Sequence, residues 1–218
     1  SEFDVAVSGE VLITNAIYNN AENKVVVYRS NRGHFERSQE IEAPDTTSGF
    51  AKSIAISDDG TMIAISAPYN DDYKLDQGLI YIYKQVNGTF TQSQILQSPN
   101  NERGEQFGWQ LHFDGEKLFA SAKNADSKTK TIFDNGETVI DSNFTTFTTV
   151  NDDAGIVYVY EKVGQELLFA QRIQIPDSDV NYFGRNTFAK KNHFYVGLPN
   201  KVNNTRQGTI IDFKHDKN

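Results

Sequence analysis

The residues with the chemistry to act on something else are few and scattered along the chain. Asp71, Asp72 and Asp76 crowd one short stretch, and Asp152-Asp153 hold the corresponding place in a later one. Carboxylates gathered in this way are what a bridging cation would use, although a solvated acidic loop needs no ion. His34, His112, His193 and His215 share no metal-ligand spacing. Two carboxylates meeting across the fold would suit glycoside hydrolysis, but an acidic chain offers such pairs by chance. No Gly-x-Ser-x-Gly elbow, P-loop or His-Glu-x-x-His motif is present. The sequence thus points away from an enzyme and calls for no cofactor. Tyr28, Tyr83, Tyr158 and Tyr160 recur at equivalent positions, as packing residues do, whereas Trp109 is the single tryptophan. Trp109 is therefore the best candidate for stacking on a ligand such as a sugar.

These residues are positioned by a repeated pattern of strands. Between Phe50 and Pro99 four apolar runs alternate with polar residues: Ser53–Ser57, Met62–Ala67, Leu79–Tyr83 and Phe90–Leu96. Ile54/Ile56, Ile63/Ile65 and Ile80/Ile82 keep the period of a β-strand. Asp59-Gly60 and Asn87-Gly88 supply hairpin turns between them. The pattern predicts a four-stranded antiparallel meander. Its third strand recurs as Lys24–Arg29, Gly78–Lys84, Gly155–Glu161 and Gly208–Lys214, a repeat of about 55 residues. Four copies follow, over about 3–47, 48–101, 102–178 and 179–218, with an inserted loop at 124–153 in the third. The last copy lacks a fourth strand. An all-β, propeller-like array of four blades is expected, the fourth blade incomplete.

Composition bounds the partners. The 218 residues carry a net charge of −8 and no basic cluster, which disfavours nucleic acid. Cysteine is absent, so disulfides and thiolate chemistry are excluded. No apolar stretch is long enough to span a membrane as a helix. Ser1-Glu2-Phe3 has the character of a cut end, so a fragment of a longer array is expected.

The order Phe107-Gly108 or Phe183-Gly184, then Ser66-Ala67-Pro68 or Gly197-Leu198-Pro199, then Gly78–Tyr83 or Gly155–Tyr160, resembles the FG-GAP repeat of integrin α-like β-propellers. The resemblance implies one blade per repeat, with ligands taken on the face that carries the loops between second and third strands. Many such repeats hold calcium in an Asp-rich loop between first and second strands. Here that connector is only Ser57-Asp58-Asp59-Gly60, Asp114-Gly115 or Lys190–Asn192, too short to surround the ion. The chain is similar to the metal-free variant found in marine bacterial surface proteins and tailed-phage virion proteins. The resemblance therefore implies a structural or adhesive module in a phage or viral tail-associated protein, at the virion or cell surface. A bacterial secreted or cell-surface adhesin is the alternative, and a glycan-active enzyme a distant third. The partner would be a protein or a glycan held by the loop face. Phe133, Asn135, Phe144 and Phe147 of the inserted loop, with Trp109, are the candidate contacts. Self-association or a neighbouring domain is expected to cover the open edge of the last blade.

Overall fold

The computed structural model describes residues 3–18, 22–44, 49–126, 133–134, 137–138, 154–174, 182–198, 201–202, 205–206 and 209–214. Blade 1 comprises β1 (Val5–Ser8), β2 (Val11–Tyr18), β3 (Glu22–Asn31) and β4 (His34–Glu42). Blade 2 comprises β5 (Ile54–Ile56), β6 (Met62–Ala67), β7 (Leu79–Val86) and β8 (Thr89–Gln97). In blade 3, β9 (Phe107–Asp114) and β10 (Lys117–Ala122) are followed by a two-stranded hairpin, β11 (Phe133–Asp134) and β12 (Glu137–Thr138). The blade then resumes with β13 (Ile156–Val163) and β14 (Glu166–Ile173). Blade 4 has β15 (Asn186–Lys190), β16 (His193–Leu198), the small pair β17 (Lys201–Val202) and β18 (Thr205–Arg206), and β19 (Thr209–Lys214). Blades 1 to 3 are four-stranded antiparallel sheets; among the described residues, blade 4 has three strands in the order β15-β16-β19. The expected architecture is the observed one: an all-β, four-bladed propeller array.

Local sequence sets the strand ends. Asn87 and Gly88 take φ of 50° and 83°, the left-handed pair that a two-residue hairpin needs to match strand twist. Lys191 and Asn192 do the same in blade 4, at 54° and 68°. The Phe-Gly motif is an inter-blade joint. Phe107 is fully buried and its N–H donates to the Gln77 carbonyl at 2.9 Å. A Cβ on Gly78 would lie 2.3 Å from the Phe107 carbonyl oxygen, so only glycine lets the two backbones approach this closely. Gly155 meets Phe183 in the same way one blade on.

Three apolar layers hold the blades together. Val11, Ile13, Val25, Val27 and Ile41 of blade 1 pack on Ile54, Ile63, Ile65, Tyr81 and Phe90 of blade 2. Met62, Ala64, Ile80 and Ile82 then meet Phe107, Leu111, Leu118 and Tyr158 of blade 3. Phe119, Val157 and Val159 meet Phe183, Phe194 and Val196 of blade 4, with Phe119 stacked on Phe194 at 4.5 Å. Because both faces of the middle blades are covered, all of β6 is buried. This explains why Met62 and Ala64, which alternate with Ile63 and Ile65, are apolar instead of polar. The first strands line up around a channel, β1 beside β5, β5 beside β9 and β9 beside β15. Among the described residues, no packing of that extent joins β15 back to β1.

The fourth strands share a detail that the apolar pattern alone does not reveal. The pairing of third with fourth strand shifts between Val27 and Tyr28, between Ile82 and Tyr83, and between Val159 and Tyr160. One residue is extra at each shift: Ser38, Ser93 and Ala170. These are β-bulges, which bend the outer strand. The Ser38 and Ser93 hydroxyls donate to the Val27 and Ile82 carbonyls, both at 3.2 Å. Glutamine follows each bulge. Gln39 reaches into blade 2, where its Nε2 donates to the Phe90 carbonyl at 2.7 Å and its Oε1 accepts the Phe90 N–H at 2.8 Å. Gln94 makes the same two-way clamp on Leu167 of blade 3, at 2.9 and 3.0 Å.

Candidate functional site

The first strands, β1, β5, β9 and β15, enclose a cavity of about 830 Å³ along the channel. At one mouth stands Trp109, two residues into β9 and half-buried. Its neighbours in sequence fix it. Phe107 anchors the strand in the core, and the Gln110 N–H donates to Ser121 Oγ at 2.9 Å. Gln110 Oε1 in turn accepts the Thr187 N–H of blade 4 at 2.9 Å. Trp109 therefore sits on a rigid strand, not on a loop tip. The Lys123 ammonium lies 3.4 Å from the indole centroid and that of Lys52 lies 4.4 Å away. Tyr69 meets the indole edge-on at 6.3 Å. Arg185 also borders the cavity. In a chain of net charge −8, this mouth concentrates cations around one aromatic face.

The carboxylates along the channel are engaged in holding blades together. Asp4 accepts the Ile54 N–H at 3.0 Å and the Ser53 hydroxyl at 3.2 Å. Asp58 accepts the Gly115 N–H at 3.0 Å. Asp114 accepts the Lys191 and Asn192 N–H groups at 2.9 and 2.6 Å. Each of these bonds runs from one blade to the next. Deeper in, His112 lines the cavity with its Nε2 buried. Burial pushes its imidazole below the ordinary value, against smaller raising effects from Thr187 and Asp4. The other described histidines differ: His34 is exposed, and His193 Nδ1 lies 2.9 Å from Asp212.

The acidic stretch Asp71, Asp72 and Asp76 closes its own loop. Asp71 Oδ1 accepts the Asp76 N–H at 2.6 Å, while Asp72 Oδ2 accepts from Asn70 Nδ2 at 3.1 Å. Among the described residues, no three His, Cys, Asp or Glu side chains gather as a metal would require. Asp59, in the short connector, lies well below the usual carboxylate range. Burial raises it, but hydrogen bonds from Lys162, Ser57 and Thr61 together outweigh that effect.

Of the other sequence candidates, Phe133 lies in β11 and pairs with Thr138. Asn135, Phe144, Phe147, Asp152, Asp153 and His215 lie outside the described residues. Tyr83, Tyr158 and Tyr160 are buried, as packing residues should be. Sequence reasoning missed Lys52, Lys123 and Tyr69 as neighbours of Trp109. Lys52 and Tyr69 come from blade 2 and Lys123 from blade 3, and nothing in their local spacing ties them together. It also missed Glu105, which is buried between blades 2 and 3. Burial foremost, with Asp126 adding to it, raises this carboxyl to about 7 against smaller lowering contributions from Ser98 and Lys74.

Arc and channel together define the class: a β-propeller built of four-stranded antiparallel blades. No family model matches the chain, and no curated protein matches it. Solved structures do match in shape. An acylaminoacyl peptidase from Pyrococcus horikoshii superposes with a TM-score of 0.53 at 13% identity, over 98% of this chain and 31% of that one. A putative 6-phosphogluconolactonase from Bacteroides uniformis gives 0.54 at 10% identity, over 98% of this chain and 55% of that one. An acylaminoacyl peptidase in complex with Z-Gly-Gly-Phe-chloromethyl ketone gives 0.54 at 14% identity, over 98% and 31%. At these identities the likeness is one of fold. This chain spans about a third of the peptidases and just over half of the lactonase.

Proposed function

We propose that this chain is a non-catalytic binding module of the FG-GAP type, part of a phage or viral tail-associated structural protein, with a surface glycan as its partner. The observation that carries the reading is Trp109, a half-buried indole held on a rigid strand at the channel mouth, with Lys123 and Lys52 over its ring. An indole stacks on the apolar face of a sugar, and the ammoniums and Arg185 select for acidic sugars over neutral ones. The channel carboxylates support binding rather than hydrolysis, because Asp4, Asp58 and Asp114 are already occupied as acceptors between blades. Kinship with FG-GAP repeats is supported by the Phe107-Gly78 and Phe183-Gly155 joints, which give the motif residues a shared packing role.

Calorimetric titration with uronate- or sialate-containing oligosaccharides, against neutral ones of equal length, tests the reading. Acidic oligosaccharides should bind, and Trp109→Ala should abolish binding while leaving the melting temperature within a few degrees. Equal affinity for neutral sugars, or binding by Trp109→Ala as tight as the parent's, overturns it.

A further inference from the structure

The chain contains four Asp-Gly or Asn-Gly pairs, and the fold leaves one of them open to a reaction that two others resist. The pairs are Asp59-Gly60, Asn87-Gly88, Asp114-Gly115 and Asn135-Gly136, the last outside the described residues. In such a pair the glycine nitrogen can attack the preceding side-chain carbonyl carbon, provided that neither group is already held. The Gly60 N–H donates to the Ser57 carbonyl at 2.8 Å, and the Gly115 N–H donates to Asp58 Oδ2 at 3.0 Å. Their carboxylates are held as well. Asp59 Oδ1 accepts from Ser57 and Thr61, and Asp114 accepts two N–H groups from blade 4. An ionised carboxylate is also a poor electrophile, and a neutral amide a better one.

Asn87-Gly88 differs on each count. It forms the two-residue turn between β7 and β8, and both of its residues are exposed. Neither the Gly88 N–H nor the Asn87 side-chain amide makes a hydrogen bond among the described residues. A Cβ built on Gly88 would meet nothing within 4 Å, so water and base reach the turn freely. The missing side chain also leaves the nitrogen unshielded and lets the turn flex toward ring closure. Among the described residues, Asn87 is the one asparagine followed by glycine.

We propose that Asn87 is a site of spontaneous deamidation, converting to aspartate and isoaspartate through a succinimide closed by Gly88. Solvent base takes the Gly88 amide proton, and the nitrogen attacks Asn87 Cγ. The Cγ–Nδ2 bond then breaks, and ammonia leaves after taking a proton from water. Water opens the ring at one of its two carbonyls. Opening at Cγ leaves aspartate on an unaltered main chain. Opening at the main-chain carbonyl leaves isoaspartate, in which the chain runs through the side-chain methylene. Water and hydroxide are the only co-reactants, and no oxidation state changes. Either product adds a negative charge to the turn. Arg29 of blade 1 couples the turn to its neighbour. Its Nη2 donates to the Gly88 carbonyl at 2.8 Å, and its guanidinium lies 5.8 Å from the Phe90 ring centroid. Aspartate at position 87 gains this opposite charge nearby and is accommodated. Isoaspartate is not, because the turn needs the left-handed φ pair of Asn87 and Gly88, which an inserted methylene breaks. Chemical ageing is thereby directed to the outer seam between blades 1 and 2. The inference is independent of the channel mouth and of any glycan.

The test is peptide mapping by mass spectrometry on the whole folded protein held at mildly alkaline pH, with a urea-unfolded sample beside it. In the folded protein the peptide containing Asn87 should gain the mass of an amide-to-acid exchange. It should also split into two chromatographic peaks, aspartate and isoaspartate. Conversion should rise with hydroxide concentration and should precede that of every other described asparagine. Asp59 and Asp114 should stay free of isoaspartate over the same period. The isoaspartate form, separated by chromatography, should melt below the Asn87→Asp variant, which carries the same charge on an unaltered main chain. An intact Asn87 in folded protein, under conditions that convert it in urea, overturns the inference. Isoaspartate appearing first at Asp59 or Asp114 does the same. Equal melting of the isoaspartate form and Asn87→Asp overturns the coupling to the seam.

Discussion

Blades 2 and 4 are built from the same three inner strands, but their third strands meet opposite fates. In β7, Ile80 and Ile82 are fully buried against blade 3. Their equivalents in β19 are Ile210, which is 74% exposed, and Asp212, which pairs with His193. The strands differ little in local propensity, so what separates them is the neighbour. A blade interior is formed by two blades, each contributing half the layer, and apolar burial is realised only where both halves are present. Blade 1 shows the same effect on its other side. Val5 and Val7 stand 63% and 60% exposed, where Ile54 and Ile56 of blade 2 are buried. Stability is thus concentrated in the layers between blades 1 and 2 and between blades 2 and 3, and thins toward both ends.

The sharpest way to break this contrast is to cut equal amounts of side chain from a sealed layer and from an end face. Phe107→Ala removes a fully buried ring between blades 2 and 3 and should cost about 3–5 kcal/mol. Ile210→Ala should stay within about 0.5 kcal/mol of the parent. Urea unfolding of both variants reads the difference, and similar costs would mean that blade 4 has a covered face in solution.

Glu105 makes the sealed layer sensitive to pH. Its folded value of about 7 lies above the ordinary 4.5, so the folded state holds the proton more tightly than the unfolded one. That contribution is fully present below pH 4.5 and is lost as pH rises through 7, to a total on the order of 3 kcal/mol. Denaturation midpoints measured from pH 4.5 to 8 should therefore fall more steeply for the parent than for Glu105→Gln. Parallel curves would show that the carboxyl is solvated.

The glutamine row gives a finer comparison within one structural device. Gln94→Ala leaves the Leu167 N–H and carbonyl without their partner and should cost about 1–2 kcal/mol. Gln171→Ala, with no side-chain hydrogen bond to lose among the described residues, should be neutral to about 0.5 kcal/mol. Equal losses in thermal melts would mean that Gln171 already holds a strand.

The smallest effect belongs to the rim. Lys162 Nζ lies 2.7 Å from Asp59 Oδ2 and joins blade 3 to blade 2, but both groups are reached by water. Lys162→Met should cost less than about 1 kcal/mol and matter less in high salt. Asp59 titrates below its ordinary value, so its contribution is present above pH 3.8 and is lost as pH falls further. A melt at pH 6 showing a loss of several kcal/mol would place this pair in the core instead.

Much of the architecture was legible in the sequence. The isoleucine pairs of β5, β6 and β7 and the Asn87-Gly88 turn act within a few residues, so their period and turn chemistry identify strands and hairpins directly. The candidate site was legible only through Trp109. Its companions Tyr69, Lys52 and Lys123 lie on three separate connections: the pairing of β9 with β10 brings Lys123 to the indole, and the stacking of blade 2 on blade 3 brings Tyr69 and Lys52. Asp71, Asp72 and Asp76 pointed to a possible ion by their number, but hydrogen bonds within the loop occupy Asp71 and Asp72.

The sequence by itself determined four repeats, the strand order within each and the turns between strands. Those are outcomes of local backbone preference and of apolar residues spaced for one sheet face. The tertiary structure decided which faces became interiors, which carboxylates were consumed between blades, why Glu105 holds its proton, and what Gln39 and Gln94 clamp on the next blade. Each of these depends on the approach of groups on different blades, often more than fifty residues apart in sequence, as Gln39 is from Phe90. Burial and hydrogen bonding act through space, and no periodicity within one blade encodes what its neighbour presents.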